Sequence, residues 1–214
     1  MKTPTVTQST DALHDLHVYT TAQLKAETET KDLAAHLQRS SVAMNEAQTA
    51  HDLAHDAMIA QLAMRVRADD AADDVLRQVY LQLRSFEGSA GGKATGKVAQ
   101  LFPHGLRGAT DGPITQQPGV MGVLAARLGK FEDPEINAYS VLVERNAEEL
   151  DRTVAGYEAA IDAVTVAYGD VVNARAEWIR QYEKTYGELV VRRGKKKAEL
   201  YFRKAAPRRS AKKA

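Results

Sequence analysis

Apolar residues recur at alternating spacings of three and four from residue 143 to residue 182, and again seven residues later at residue 189. Twelve of the thirteen positions in this series are apolar or aromatic, and Arg175 is the exception. This spacing lays them along one stripe of an α-helix, as in the seam of a coiled coil. A stripe this long has to be covered, so the sequence predicts a second helix packed against it. The series is Val143, Ala147, Leu150, Val154, Tyr157, Ile161, Val164, Tyr168, Val171, Arg175, Trp178, Tyr182 and Leu189.

The ends of this helix carry clear signals. Asp133 is a suitable N-cap, Pro134 suits the first helical position, and Gly194 suits a helix stop. The predicted helix therefore covers 134–193. At 1.5 Å per residue, such a helix is about 90 Å long.

A second long helix is predicted for residues 10–87, which contain neither Gly nor Pro and carry apolar residues at helical spacing. One uninterrupted helix is the first interpretation, and a break near Ser40 is the alternative. The intervening residues 88–133 hold ten of the fourteen Gly and three of the six Pro. They predict a folded cap with short helices near 97–102 and 118–128, because apolar residues also occur there.

Together these segments predict an all-α fold: an elongated antiparallel helical hairpin over 9–193, followed by a flexible basic tail over 194–214. With residue 87 opposite residue 134, Arg175 lies near Glu46 and Trp178 lies near Met44. Two helices leave much of each apolar stripe uncovered. The sequence therefore favours self-association into a four-helix assembly, or a helical protein partner.

Composition narrows the possible classes of protein. The chain has no Cys, so disulfides, thiolate metal sites and cysteine nucleophiles are excluded. Residues 1–10 lack the apolar core of a secretory signal, and no run reaches the roughly 18 apolar residues of a membrane span. The sequence thus predicts a cytoplasmic protein without a transmembrane segment.

The net charge of +1 hides a strong asymmetry. Residues 192–214 hold eleven Lys and Arg against the single Glu199, a local charge of +10, which leaves −9 for residues 1–191. Clustered cations beside two aromatic residues suit a polyanion, with nucleic acid favoured over an anionic membrane, although the acidic surface of a protein remains an alternative. The candidate residues are Arg192, Arg193, Lys195, Lys196, Lys197, Tyr201, Phe202, Arg203, Lys204, Arg208, Arg209, Lys212 and Lys213.

Two other patterns resemble catalytic or metal sites. Residues 91–97 fit a phosphate-binding loop up to the lysine, but Val98 replaces the Ser or Thr that binds magnesium, and the preceding segment is helical rather than a strand. His51 and His55, like His14 and His17, share a helix face without an apparent third ligand. We therefore predict no catalytic residue, cofactor, metal or small-molecule substrate.

These observations favour a non-enzymatic structural or scaffolding coiled-coil protein that acts through helix–helix association. The alternative is a polyanion-binding module that uses the basic C-terminal tail.

Overall fold

A computed structural model of the protein describes residues 3–89 and 96–202. These residues form α-helices and two single 3-10 turns, Thr28–Thr30 and Glu199–Tyr201, without a strand, which confirms the all-α class. None of the described helices is both long and apolar enough to span a membrane. The helices are α1 Thr10–Lys25, α2 Lys31–Ser89, α3 Lys97–Leu101, α4 Arg107–Thr110, α5 Gln117–Leu128, α6 Pro134–Arg193 and α7 Lys195–Ala198.

Helix α6 has the predicted bounds. One carboxylate oxygen of Asp133 accepts hydrogen bonds from the backbone N–H groups of Glu135 at 2.9 Å and Ile136 at 3.2 Å. These bonds satisfy two donors that the first turn of a helix leaves free. At the other end, Gly194 has φ +76°, a conformation that favours glycine, and the helix stops before it.

The N-terminal helical segment is broken, and neither predicted arrangement of it is correct. The break lies between α1 and α2, well before Ser40, at the 3-10 turn Thr28–Thr30. The hydroxyl of buried Thr30 donates to the carbonyl oxygen of Leu24 at 2.7 Å, so a side chain takes over one of the last carbonyls of α1. The chain then reverses, because folding α1 back onto α2 buries apolar residues that a straight helix leaves exposed.

Replacing Thr30 by Val is expected to destabilise the protein by about 1–2 kcal/mol, because the buried Leu24 carbonyl loses its hydroxyl donor. Thr28→Val is the matched control, since Thr28 lies exposed in the same turn and should change stability little. Chemical denaturation measures both variants. Equal stability of the two variants contradicts the role given to Thr30.

The chain divides into two compact units. The first unit comprises Met1–Ala54 and Ala163–Ala214. Within it, α1 runs antiparallel to the start of α2, as shown by hydrogen bonds from Thr10 to Gln48 and between His17 and Gln38. The end of α6 is also antiparallel to α2, since Arg192 pairs with Asp32 and Arg175 donates to Gln48. Its core consists of Leu13, Leu24, Leu33, Ala34, Leu37, Met44, Trp178, Tyr182, Leu189, Ala198, Tyr201 and Phe202.

The second unit comprises His55–Asp162 and contains the rest of the hairpin with its cap. The guanidinium of Arg65 lies 4.3 Å from the ring centroid of Tyr157, which places α2 against α6 here as well. The cap packs on α2: the Gln117 amide donates to Asp73 at 2.8 Å, and the Tyr80 and Phe102 rings meet edge to face. Fully buried apolar residues of this core include Ala72, Leu76, Val79, Met121, Leu128, Val143 and Leu150.

Candidate functional site

The predicted seam residues of α6 differ widely in burial. Tyr157, Val164 and Arg175 are half-buried, whereas Ile161 and Tyr168 are 39% and 54% exposed. The remaining predicted positions point into the cores of the two units. In the second unit these are Val143, Ala147, Leu150 and Val154, and in the first unit they are Val171, Trp178, Tyr182 and Leu189.

Arg175 joins three helices of the first unit. Its guanidinium donates to the hydroxyl of Thr10 at 2.8 Å and to the amide oxygen of Gln48 at 3.1 Å. Gln48 in turn donates to Asp52 at 2.9 Å, which brings a carboxylate into the network. The predicted neighbour Glu46 is exposed instead. The prediction missed the true partners because it considered only α2 and α6, whereas α1 supplies Thr10.

An aromatic cluster forms the centre of the first unit. The Trp178 and Tyr182 rings stack with centroids 4.9 Å apart, and Met44 belongs to the same core. Phe202 inserts its ring edge to face against Tyr182 and Tyr186, at 4.8 and 5.3 Å. Burial raises the pKa of the Tyr182 phenol. The chain after α6 thus completes this core rather than leaving it.

Acidic residues at the α1–α2 corner hold the end of α6 and the segment that follows. Arg193 pairs with Glu27 at 2.7 Å and with Glu29 at 2.8 Å, while Arg192 pairs with Asp32 at 2.7 Å. The hydrogen bond from Arg192 lowers the pKa of Asp32. The Tyr201 hydroxyl donates to Glu27 at 2.6 Å, and burial together with this bond raises the Tyr201 pKa.

The candidate polyanion-binding residues therefore fall into three groups. Arg192 and Arg193 are ion-paired, and Tyr201 and Phe202 are buried, so these rings are not presented for stacking on bases. The three lysines of α7 are exposed. Outside the described residues lie Arg203, Lys204, Arg208, Arg209, Lys212 and Lys213. The predicted tail begins at residue 194, whereas the chain is packed through Phe202.

The histidine pairs are not brought together as a metal site. His17 is buried and bonds to Gln38 and Thr21, each at 3.3 Å, and His14 lies with its ring centroid 6.2 Å away. His51 contacts the neighbouring Asp52 at 3.4 Å. Within 3–89 and 96–202, no group of three or more His, Asp or Glu is placed to hold a metal ion. Most of the phosphate-loop-like segment, residues 91–95, lies outside the described residues.

Protein stability should fall as the pH drops below the ordinary histidine pKa of 6.5, because burial lowers the pKa of His17 in the folded state. His14 and Lys25 lower it further, whereas the bond to Gln38 opposes them. The unfolded chain therefore takes up a proton first, and acid favours unfolding. Thermal melts between pH 8 and pH 5 measure how the stability of the protein changes with pH.

His17→Gln removes this proton uptake and should flatten the acid side of the profile. His55→Gln is the control, since His55 is exposed on α2 and should leave the profile unchanged. An unchanged acid slope in His17→Gln contradicts the assignment.

The second unit also contains a pocket of about 880 Å³ beside the start of α6. Its lining combines Lys97, Arg127 and Lys130 with the carboxylates of Glu132 and Asp133. Asp133 already caps α6, and the ammonium of Lys97 lies 5.0 Å from the Phe131 ring. This mixture of charges selects no class of ligand.

No family model, curated protein or solved structure matches this chain.

Sequence reasoning missed the acidic corner formed by Glu27, Glu29 and Asp32. The available signal was the complementary charge of the basic C-terminal segment, but more than 150 residues separate the partners of the Arg192–Asp32 pair. The acidic corner could be recognised only with the knowledge that α1 folds back onto α2.

Proposed function

We propose that the protein is a non-enzymatic scaffold that acts through helix–helix association. The observation that carries this proposal is that each unit contains a length of paired helix with no fully buried residue. In the first unit, these lengths are 45–54 on α2 and 163–170 on α6. In the second unit, they are 55–67 on α2 and 155–162 on α6.

Large apolar side chains are exposed in the same lengths of helix. In the first unit, Leu53, Val166 and Tyr168 are 65%, 67% and 54% exposed. In the second unit, Ile59 and Met64 are 48% and 53% exposed. Single exposed apolar residues are ordinary on protein surfaces. Here several of them recur along long helices, and the pairing of those helices with each other buries little of them. This favours a further helix that covers these residues.

Sedimentation velocity over a wide concentration range tests this proposal. Because the contacts are apolar, association should persist between low and high salt. A chain that stays monomeric and captures no helical protein partner from its own cell lysate contradicts scaffolding by association.

The second candidate is polyanion binding through the C-terminal segment, for which the exposed α7 lysines Lys195, Lys196 and Lys197 are the supporting observation. Their ammonium groups stand beside the basic residues 203–214 in the sequence. Because Tyr201 and Phe202 are buried, this binding would rest on charge rather than on base stacking.

If the segment binds nucleic acid, affinity for DNA or RNA should fall steeply with salt, by about 10³-fold between roughly 50 and 200 mM for six phosphate contacts. Changing the three α7 lysines to Ala should weaken binding and flatten the salt slope. The control changes Lys31, Lys130 and Lys184, which lie on other elements, and should bind as the parent. Equal loss in both triple variants, or no binding at low salt, contradicts this candidate.

A further inference from the structure

A second stripe of mainly small and apolar residues runs along α2 in the second unit, on a side of the helix that neither α6 nor the cap covers. It consists of Ala57, Ala60, Met64 and Arg67, spaced alternately by three and four residues. All four are exposed, and Met64 is 53% exposed. At about 100° per residue, this spacing keeps them on one face. The core residues Ala72 and Leu76 of α2 lie on another face of the helix.

The stripe is complementary to itself when two copies pack antiparallel. A two-fold axis beside Leu62 places Ala60 opposite Met64 of the second copy, and Ala57 opposite Arg67 of the second copy. Every layer then joins one small and one large side chain, which lets the helix axes approach to about 8 Å without a clash or a void. A parallel pairing instead sets Met64 against Met64 and Ala60 against Ala60.

The charges at the edge of this stripe are also complementary. Asp56 adjoins Ala57, so the guanidinium of Arg67 in the second copy reaches its carboxylate in the antiparallel arrangement. The two-fold axis produces this pair twice. Neither Asp56 nor Arg67 makes an ion pair or side-chain hydrogen bond within 3–89 and 96–202. Both charges therefore remain available to a second copy.

We propose that this face of α2 binds a second copy of the chain, forming an antiparallel, two-fold dimer around Leu62. The inference rests on the proposed scaffolding function and specifies its partner and surface. Because only a few helical turns are in contact, the dimer belongs to the weaker, reversible class of interfaces.

Sedimentation equilibrium of the full-length protein tests the face directly. Ala60→Glu places two carboxylates inside the interface and should raise the dimer dissociation constant by about 100-fold or more. Ala138→Glu is the matched control, because Ala138 is likewise exposed on a long helix of the same unit and lies outside the lengths 55–67 and 155–162. It should leave the dissociation constant within about twofold. Circular dichroism confirms that both variants remain helical.

Charge reversal tests the antiparallel register. Arg67→Glu and Asp56→Arg each create repulsion with the second copy and should each weaken the dimer by about tenfold. The double variant exchanges the two charges and should regain most of the lost affinity. If the double variant regains dimer affinity, the antiparallel register is supported. If the losses of affinity of the two single variants add in the double variant, the register is overturned.

Failure of the proposed dimer face and failure of the scaffolding proposal give different results. If the wild type dimerises but Ala60→Glu dimerises equally well, this face is wrong while scaffolding by association stands. If the wild type is monomeric at every concentration, the two-fold dimer is overturned, and capture of a different helical protein then decides the scaffolding proposal separately.

Discussion

Removing residues 194–214 is expected to lower the melting temperature of the protein markedly. The deletion takes away Ala198, Tyr201 and Phe202, which are buried in the core of the first unit. It also removes the Tyr201 hydrogen bond to Glu27. Losing a buried aromatic ring typically costs about 3–5 kcal/mol, so this deletion should exceed that cost.

Phe202→Ala alone should account for about 3–4 kcal/mol of the loss, because the ring leaves a cavity between Tyr182 and Tyr186. Leu200→Ala is the matched control in the same segment, since Leu200 is 70% exposed. Denaturant titration followed by circular dichroism measures both variants. If the deletion of 194–214 melts at the temperature of the intact chain, the segment does not dock as described.

Trp178→Ala is expected to have the largest effect of any single substitution in the first unit, about 3–5 kcal/mol. Trp178 is fully buried and stacks on Tyr182, so its removal leaves a void where α1, α2 and α6 meet. Its indole N–H has no hydrogen-bond partner among the described residues, and the loss therefore measures packing.

The control for Trp178→Ala is Tyr168→Ala. Both residues were predicted from the same heptad pattern, but Tyr168 is 54% exposed and should contribute little to monomer stability. Similar losses in the two variants contradict the division of α6 into buried and exposed stretches.

The bounds of α6 could be predicted because the signals that set them are local. Asp133 caps the first turn through its own side chain, and Gly194 ends the helix through its own backbone conformation. The hairpin could be predicted because the apolar seam of α6 needs a second helix to cover it.

The break between α1 and α2 could not be predicted from local signals, because the segment lacks Gly and Pro throughout. It depends on tertiary burial of residues such as Leu13 and Leu24, which outweighs the local preference for a continuous helix. The docking of Phe202 was missed for a similar reason. Its basic surroundings are typical of a disordered tail, and its aromatic partners become apparent only once the first unit is assembled.

Hydrogen–deuterium exchange at two protein concentrations is the most direct test of association through exposed helix faces. Both cores should be protected at either concentration, because their residues are buried within one chain. Raising the concentration should add protection in peptides that cover residues 56–67 of α2, with little change in the core of the first unit. Exchange that is independent of concentration throughout α2 would contradict the account.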